Sequence, residues 1–160
     1  EVVEDGFNGK MTEIHAALGL ANLKYFSAVL DDRKLKYNQY KEMLSNSKTI
    51  EFQKFSLGEP NYSYFPVVLE TEQALLKLVR NLNDENIFPR RYFYPSINNV
   101  LKQENVNTPI SDSVSTRILC LPLYKDLKEV EMEKITEIIL NSIKKKKVDI
   151  VFLSSHSFFF

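Results

Sequence analysis

A helical periodicity at the start of the chain constrains the fold more than any other feature. Apolar residues recur at three- and four-residue spacing from about Thr12 to Asn46, beginning with Ile14, Ala17 and Leu18. The Thr12 hydroxyl is well placed to accept from backbone N–H groups of the first turn. The spacing therefore predicts one long helix whose first half carries an apolar face.

The second half of this helix has a different composition. Residues 33–44 are charged and rich in tyrosine, which indicates a more exposed extension. Asp31 and Asp32 lie between the halves, and we expect a break or bend there.

The remainder of the chain alternates between strand and helix patterns. Strands are predicted at 50–55, 62–69, 90–94 and 118–124, and helices at 72–83, 111–116 and 128–143. Pro122 favours an edge position or an early end for the last strand. The order predicts an α+β fold, with a small, largely antiparallel sheet covered by helices on one face.

The helix patterns also predict which side chains face the core. On the helices at 72–83 and 128–143, these are Leu75, Leu76, Val79, Leu82, Val130, Ile135, Ile138 and Ile139. We expect three parts along the chain: an interface turn and long helix (1–46), a small α+β domain (47–143), and a lysine-rich and apolar tail of separate character (144–160).

Composition argues against several kinds of function and site. The chain has 160 residues, with 21 Lys plus Arg against 21 Asp plus Glu, so a basic excess that would favour nucleic acid is missing. Cys120 is the only cysteine, which excludes an internal disulfide and a cysteine-based zinc cluster and predicts a buried thiol. Neither a secretory signal nor a membrane-length apolar run is visible, and we expect a cytoplasmic protein without metal.

Three segments carry more specific information. Gly6 to Lys10 form a glycine-flanked turn that would present the Asn8 amide and the Lys10 ammonium ahead of a helix N-terminus. Such a turn suits an anion, although an ordinary loop with Asn as a turn former has the same pattern.

The second segment is Phe88 to Asn98. As a strand it would place Arg90, Tyr92 and Tyr94 on one face and Arg91 on the other, so a guanidinium would lie beside two phenols. This surface suits a phosphate-bearing, polar substrate. A charged edge strand that discourages aggregation is the alternative. The third segment, Arg117 to Tyr124, indicates a core strand without chemistry.

Together, in this order and spacing, the segments resemble the DegT/DnrJ/StrS family of sugar aminotransferases. Gly6 to Leu23 is similar to that family's G-x-N-x-R/K-M-S/T-E, A-A-x-G-L-x-x-L segment, and Arg91 to Asn98 to its R-x-Y-Y-P-P-L-H segment. Leu119 to Leu127 is similar to its L-x-L-P-L-Y-x-x-L segment. The sequences F-N-G-K-M and R-R-Y-F-Y-P-S most resemble those of members that aminate 3-keto-6-deoxyhexoses carried on dTDP.

The resemblance implies the C-terminal small domain of a fold-type-I aminotransferase, normally a homodimer that uses pyridoxal 5'-phosphate (PLP). Its substrates would be a nucleotide-linked keto sugar and an amino donor, usually glutamate. The asparagine matching Asn8 contacts the PLP phosphate held by the other subunit, and Lys10 lies near the same site. Arg90, Arg91 and Tyr94 match the substrate side, and Asn98 stands where many members have His.

The resemblance also implies what this chain does not contain. The Schiff-base lysine and the aspartate that pairs with the pyridinium nitrogen lie upstream of the first motif in the family. We therefore expect no catalytic residue in this chain, a missing large domain, and no activity of the chain alone.

Two other functions remain open on the sequence. The first is a stand-alone α+β module that binds phosphorylated ligands or nucleic acid through Arg90, Arg91 and the lysine run at 144–147. The second is an interaction protein led by its long helix, although the pattern after Arg33 does not supply heptads.

Overall fold

The structure, a computed structural model, describes residues 9–55, 58–101 and 107–144. Asn8 and the tail from residue 145 onward, including most of the lysine run, lie outside the described residues. In chain order the elements are α1 (Glu13–Leu44), β1 (Ile50–Phe52), β2 (Phe65–Leu69), α2 (Glu72–Asp84), α3 (Ile97–Leu101), α4 (Pro109–Arg117), β3 (Ile118–Leu121) and α5 (Glu129–Ile143).

Helix α1 is continuous over 32 residues, so of the expected break or bend at Asp31 and Asp32 the break was wrong. Its start was predicted correctly, since the Thr12 hydroxyl accepts from the His15 N–H at 3.3 Å. The helix passes through the two aspartates because Asp32 accepts from the Lys36 ammonium at 2.7 Å, and an i,i+4 pair of this kind supports the helix.

The expectation that the second half of α1 is the more exposed part was wrong. In the first half the apolar side chains are exposed, with Ile14 at 80 %, Leu18 at 59 % and Tyr25 at 68 %. In the second half Tyr40 and Leu44 are fully buried. The tyrosines there are core residues because they pack against the sheet. The first half has no described element beside it.

The sheet has the order β1-β2-β3 in the described part of the chain, and both pairings are antiparallel, as predicted. Phe65, Val67 and Leu69 of the central strand β2 are fully or almost fully buried. Burial of side chains of this size contributes roughly 1.5–3 kcal/mol each. The Phe65 ring lies 4.8 Å from the Tyr37 ring and 5.1 Å from the Tyr40 ring, which joins α1 to the sheet.

Helices α2 and α5 pack on each other and complete the core. Their buried side chains include Leu75, Leu78, Leu82, Met132, Ile135 and Ile139. Leu76 and Val130 were predicted to face inward but are exposed, because the buried stripe passes instead through Leu78 and Met132. None of the described helices combines the length and apolar character needed to cross a bilayer.

Candidate functional site

Arg90 is fixed at the outer edge of β3 by its backbone. Its N–H donates to the Cys120 carbonyl at 3.1 Å, and the Cys120 N–H donates to the Arg90 carbonyl at 2.8 Å. Cys120 can form this bridge because both backbone groups of a residue in an antiparallel strand point to the same side, and at the pair with Pro66 those of Cys120 face away from β2. The bridge therefore holds the second sequence segment against the third.

The segment leaves the sheet immediately after this bridge. The predicted strand 90–94 was wrong, since only Arg90 forms an isolated bridge and residues 92–95 form turns and bends. Pro95 cannot continue a ladder, and the Arg91 side chain is held by another part of the fold. As a consequence, Arg90 and Arg91 contact different tyrosines from those that strand alternation predicts.

Arg90 forms a cluster with two phenols, as the sequence indicated, but with Tyr64 in place of Tyr94. Its guanidinium donates to the Tyr92 hydroxyl and lies 5.6 Å from the centre of the Tyr92 ring. The hydrogen bond to Tyr92 raises the pKa of Arg90. The Tyr92 and Tyr64 rings meet edge to face at 5.4 Å. The arginine is exposed, so its charge is available to a ligand.

Arg91 has a different environment. Its Nη2 donates to Glu72 at 2.9 Å and to the Thr116 carbonyl at 3.1 Å. The Tyr94 ring lies 3.8 Å from the guanidinium carbon. The Arg91 side chain is only 20 % exposed. Arg91 therefore ties the loop to α2 and α4, and its stacking holds Tyr94 in place.

Asn98 belongs to a polar network between α3 and α4. Its amide donates to the Thr108 hydroxyl, and Thr108 donates in turn to Asp112 at 3.4 Å. Asp112 also accepts from Ser96 and, at 3.1 Å, from Asn99. The network fixes the end of the loop that begins at Arg90.

The turn before α1 is only partly described. Lys10 is exposed and precedes the Thr12 cap, whose hydroxyl also lies 2.8 Å from His15 Nδ1. Glu13 occupies the first turn, where its carboxylate competes with an external anion for the helix N-terminus. Lys10 is the described basic residue of this turn, and the structure does not bring it together with Arg90.

A cleft of about 570 Å³ opens beside Arg90. Its walls come from α1, from the segment before β2 and from the end of β3, and its polar and aromatic lining includes Arg33, Tyr64, Arg90, Tyr92 and Tyr124. Reasoning from the sequence missed Arg33, Tyr64 and Tyr124 as site residues. Tyr124 had a signal, because it ends the L-P-L-Y motif, whereas Arg33 is one of many charges in α1.

The base of this cleft offers no nucleophile. Burial raises the pKa of the Cys120 thiol, which keeps it protonated and unreactive at neutral pH. Among residues 9–55, 58–101 and 107–144, no group of three or more His, Cys, Asp or Glu could hold a metal ion. The described chemistry of the cleft is therefore recognition by guanidinium and phenol groups.

Comparison with known proteins decides the family. The profile of the DegT/DnrJ/EryC1/StrS aminotransferase family matches residues 2–140. The chain belongs to this family. A curated relative, dTDP-4-amino-4,6-dideoxy-D-glucose transaminase from Escherichia coli, is 36 % identical over 155 residues, which cover 89 % of this chain and 41 % of the relative. The chain thus spans less than half the length of this relative.

Solved structures of aminotransferases share the fold. TlmJ from Streptoalloteichus hindustanus superimposes with a TM-score of 0.75 at 18 % identity, covering 89 % of this chain and 39 % of that one. NtdA from Bacillus subtilis, solved with bound cofactor PMP, has a TM-score of 0.73 at 24 % identity, covering 91 % of this chain and 35 % of that one. The family membership and the α+β fold inferred from the sequence are confirmed.

Proposed function

We propose that this chain forms the substrate-facing and interface portion of a PLP-dependent aminotransferase. The enzyme transfers an amino group from an amino acid to a keto-deoxysugar carried on a nucleoside diphosphate. The observation that carries the proposal is the cleft at Arg90, where the Arg90–Cys120 bridge joins the second sequence segment to the third. A guanidinium with phenols suits the phosphates and hydroxyls of such a substrate.

Within this proposal, the residues of the loop from Arg90 to Asn98 have separate roles. Arg90 binds the anionic part of the substrate, because its guanidinium is exposed in the cleft. Arg91 and Asn98 belong to the substrate side through the loop that they hold, since both are engaged by protein groups. Tyr94, stacked on Arg91 and half exposed, presents its ring and hydroxyl at the loop surface.

The cofactor and interface roles rest on the first motif. Asn8 binds the phosphate of PLP held by a second subunit of a homodimer, and Lys10 lies near the substrate there. Bound PLP supplies the electron sink for amino transfer. The described residues offer no lysine in the family's catalytic setting, so the chain alone is inactive and acts with a large domain. The exposed face of α1 supports a partner of this kind.

The donor, the sugar and the location complete the proposal. Glutamate is the amino donor, and the enzyme works in the cytoplasm. The sequence motifs favour a 3-keto sugar, whereas the name of the Escherichia coli relative has the amino group on carbon 4. The identity over 155 residues favours carbon 4, and the choice is open to direct measurement.

The competing function, a stand-alone module for phosphorylated ligands or nucleic acid, has weaker support. It needs Arg90 and Arg91 to act together, but Arg91 is paired with Glu72 at 2.9 Å. Its lysine run lies outside the described residues beyond Lys144.

A chimera tests the proposed function. The matched segment of the Escherichia coli relative is replaced by this chain, and amino transfer from glutamate is measured with dTDP-linked 4-keto and 3-keto 6-deoxyhexoses. We expect turnover by the chimera and none by the 160-residue chain. Arg90→Gln should raise KM, and Arg80→Gln, an exposed arginine on α2, should not. A folded chimera that binds PLP but transfers no amino group to either sugar would contradict the proposal.

A further inference from the structure

The cleft contains a second arginine that the proposed function does not use. Arg33 projects from the middle of α1 into the space that Arg90 lines. Its Nε is buried and has no hydrogen-bond acceptor in the described residues. The ion pairs of the described residues do not include Arg33, although Lys34 pairs with Glu59 and Lys36 with Asp32. Arg33 thus has no carboxylate partner among the described residues, whereas Lys34 and Lys36 each have one.

The comparison with Arg91 makes this difference clearer. Arg91 also has a buried Nε without an acceptor, but its Nη2 is held by Glu72 and by a backbone carbonyl. Arg33 has no counterpart of these bonds in the described residues. Partial burial of a guanidinium is unfavourable unless an anion or several acceptors reach it. This environment indicates an acceptor that arrives from outside the described chain.

The charge of the cleft points to the same kind of acceptor. The lining residues include two guanidinium groups and no carboxylate. The other polar side chains are phenols and hydroxyls, which can donate to an anion as well. The exposed rings of Phe88 and Tyr124 lie at the same opening and provide flat apolar surface. Two forked donors with aromatic surface beside them match a diphosphate that is joined to a ring.

We propose that Arg33 and Arg90 together bind the diphosphate of a nucleotide-linked sugar, with the base against the aromatic rings at the opening. This assignment rests on the proposed function for the class of substrate, but its residues and its test do not depend on catalysis. Arg33 lies on α1, Arg90 is fixed by its bridge to Cys120, and the ligand lies between a helix and a sheet edge.

The test is binding of dTDP and of inorganic pyrophosphate to the 160-residue chain, measured by titration calorimetry at low and high salt. We expect dTDP to bind more tightly than pyrophosphate because the rings contact the nucleoside. Arg33→Gln and Arg90→Gln should each weaken dTDP binding by roughly 10-fold or more, since each removes a charge-assisted contact. Arg33→Lys, which keeps the charge without the fork, should give an intermediate loss.

Arg80→Gln is the matched control, because it removes an exposed arginine on α2 outside the cleft, and it should leave binding unchanged. Circular dichroism of every variant establishes that α1 and the core are intact. If the Arg33→Gln variant binds dTDP as well as the unaltered chain while the Arg90→Gln variant does not, Arg33 has no role in binding the diphosphate.

Equal affinity for dTDP and pyrophosphate would overturn the nucleoside part of the assignment, and no binding of either ligand would overturn the site. These outcomes are separable from the proposed function, because the chimera reports amino transfer and the titration reports binding without PLP. Binding that Arg33→Gln abolishes, together with an inactive chimera, would retain the diphosphate site and reject the transaminase role.

Discussion

The Lys36 ammonium donates to the backbone carbonyl of Tyr124 at 3.0 Å, although 88 residues separate the two along the chain. It also donates to the Lys125 carbonyl and to Asp32, and the residue is only 7 % exposed. This single side chain therefore attaches the segment after β3 to α1. Tyr124 and Arg33 line the cleft from these two elements, so the contact joins two walls of the cleft.

Lys36→Met should lower the free energy of unfolding by about 2–3 kcal/mol, because Asp32 and two carbonyls lose their donor. Chemical denaturation measures the change. Lys34→Met is the matched control, since Lys34 pairs with Glu59 at the surface, and it should change stability by about 0.5 kcal/mol or less. Equal effects of the two substitutions would show that the buried ammonium does not hold the two elements together.

Tyr40→Phe should cost about 1 kcal/mol near neutral pH, since the Tyr40 hydroxyl donates to the Pro122 carbonyl at 3.1 Å. Burial raises the pKa of Tyr40 above its ordinary value of 10.0. The unfolded chain therefore loses this proton near that pH while the native chain keeps it, so native stability falls as the pH rises further.

Tyr40→Phe removes this contribution, and its stability should fall less between pH 8 and pH 11 than that of the unaltered chain. Denaturation curves at both pH values measure the difference, with the exposed Tyr25→Phe as control. An identical alkaline loss in the Tyr40→Phe variant would contradict the buried position of the hydroxyl.

The two adjacent arginines should separate stability from binding. Arg91→Gln breaks the bond to Glu72 and the stacking on Tyr94, and we expect a loss of about 1–2 kcal/mol in the free energy of unfolding. Arg90→Gln should leave the free energy of unfolding nearly unchanged, because the side chain is exposed. Denaturation of both variants checks the order, and a larger loss in Arg90→Gln would reverse the assignment of the two roles.

The exposed face of α1 should control association rather than stability. Leu18→Glu with Tyr25→Glu should reduce binding of a hydrophobic dye and shift sedimentation toward the monomer, with a change in stability of about 0.5 kcal/mol or less. Leu44→Ala, on the buried half of the same helix, should instead cost about 3 kcal/mol. A monomeric chain that binds no dye before any substitution would show that this face does not drive association.

Cys120 offers a probe of the core beside the cleft. Because it is the only cysteine and its thiol is buried with a raised pKa, alkylation of the native chain should be roughly 100-fold or more slower than in denaturant. Mass spectrometry after timed treatment with iodoacetamide measures the rate. Labelling at the same rate in both conditions would place the thiol at the surface.

Local signals in the sequence predicted much of the fold. Thr12 caps α1 because a hydroxyl before an apolar period suits the first-turn N–H groups, and the structure has this bond. Strand β3 ends at Leu121, immediately before Pro122, whose missing N–H cannot continue the pairing. These features depend on residues within a few positions of each other, so the sequence contains the information.

The parts that were wrong depend on distant contacts. The second half of α1 looks polar, yet Tyr37 and Tyr40 are buried because Phe65, from β2, covers them. Strand alternation would place Tyr94 beside Arg90, but Tyr94 stacks on Arg91 because Glu72 and Thr116 hold that guanidinium. Arg33 could not be identified as a site residue from the sequence, since only the fold brings it into the cleft that Arg90 lines.

Borohydride reduction after incubation with PLP tests the central claim most directly. The 160-residue chain and the chimera are treated alike, and mass spectrometry maps any reduced adduct to a lysine. We predict a stoichiometric adduct in the chimera, on a lysine of the Escherichia coli portion, and no specific adduct on the chain alone. A stoichiometric adduct on one lysine of this chain would contradict the claim that it serves substrate and interface without the catalytic lysine.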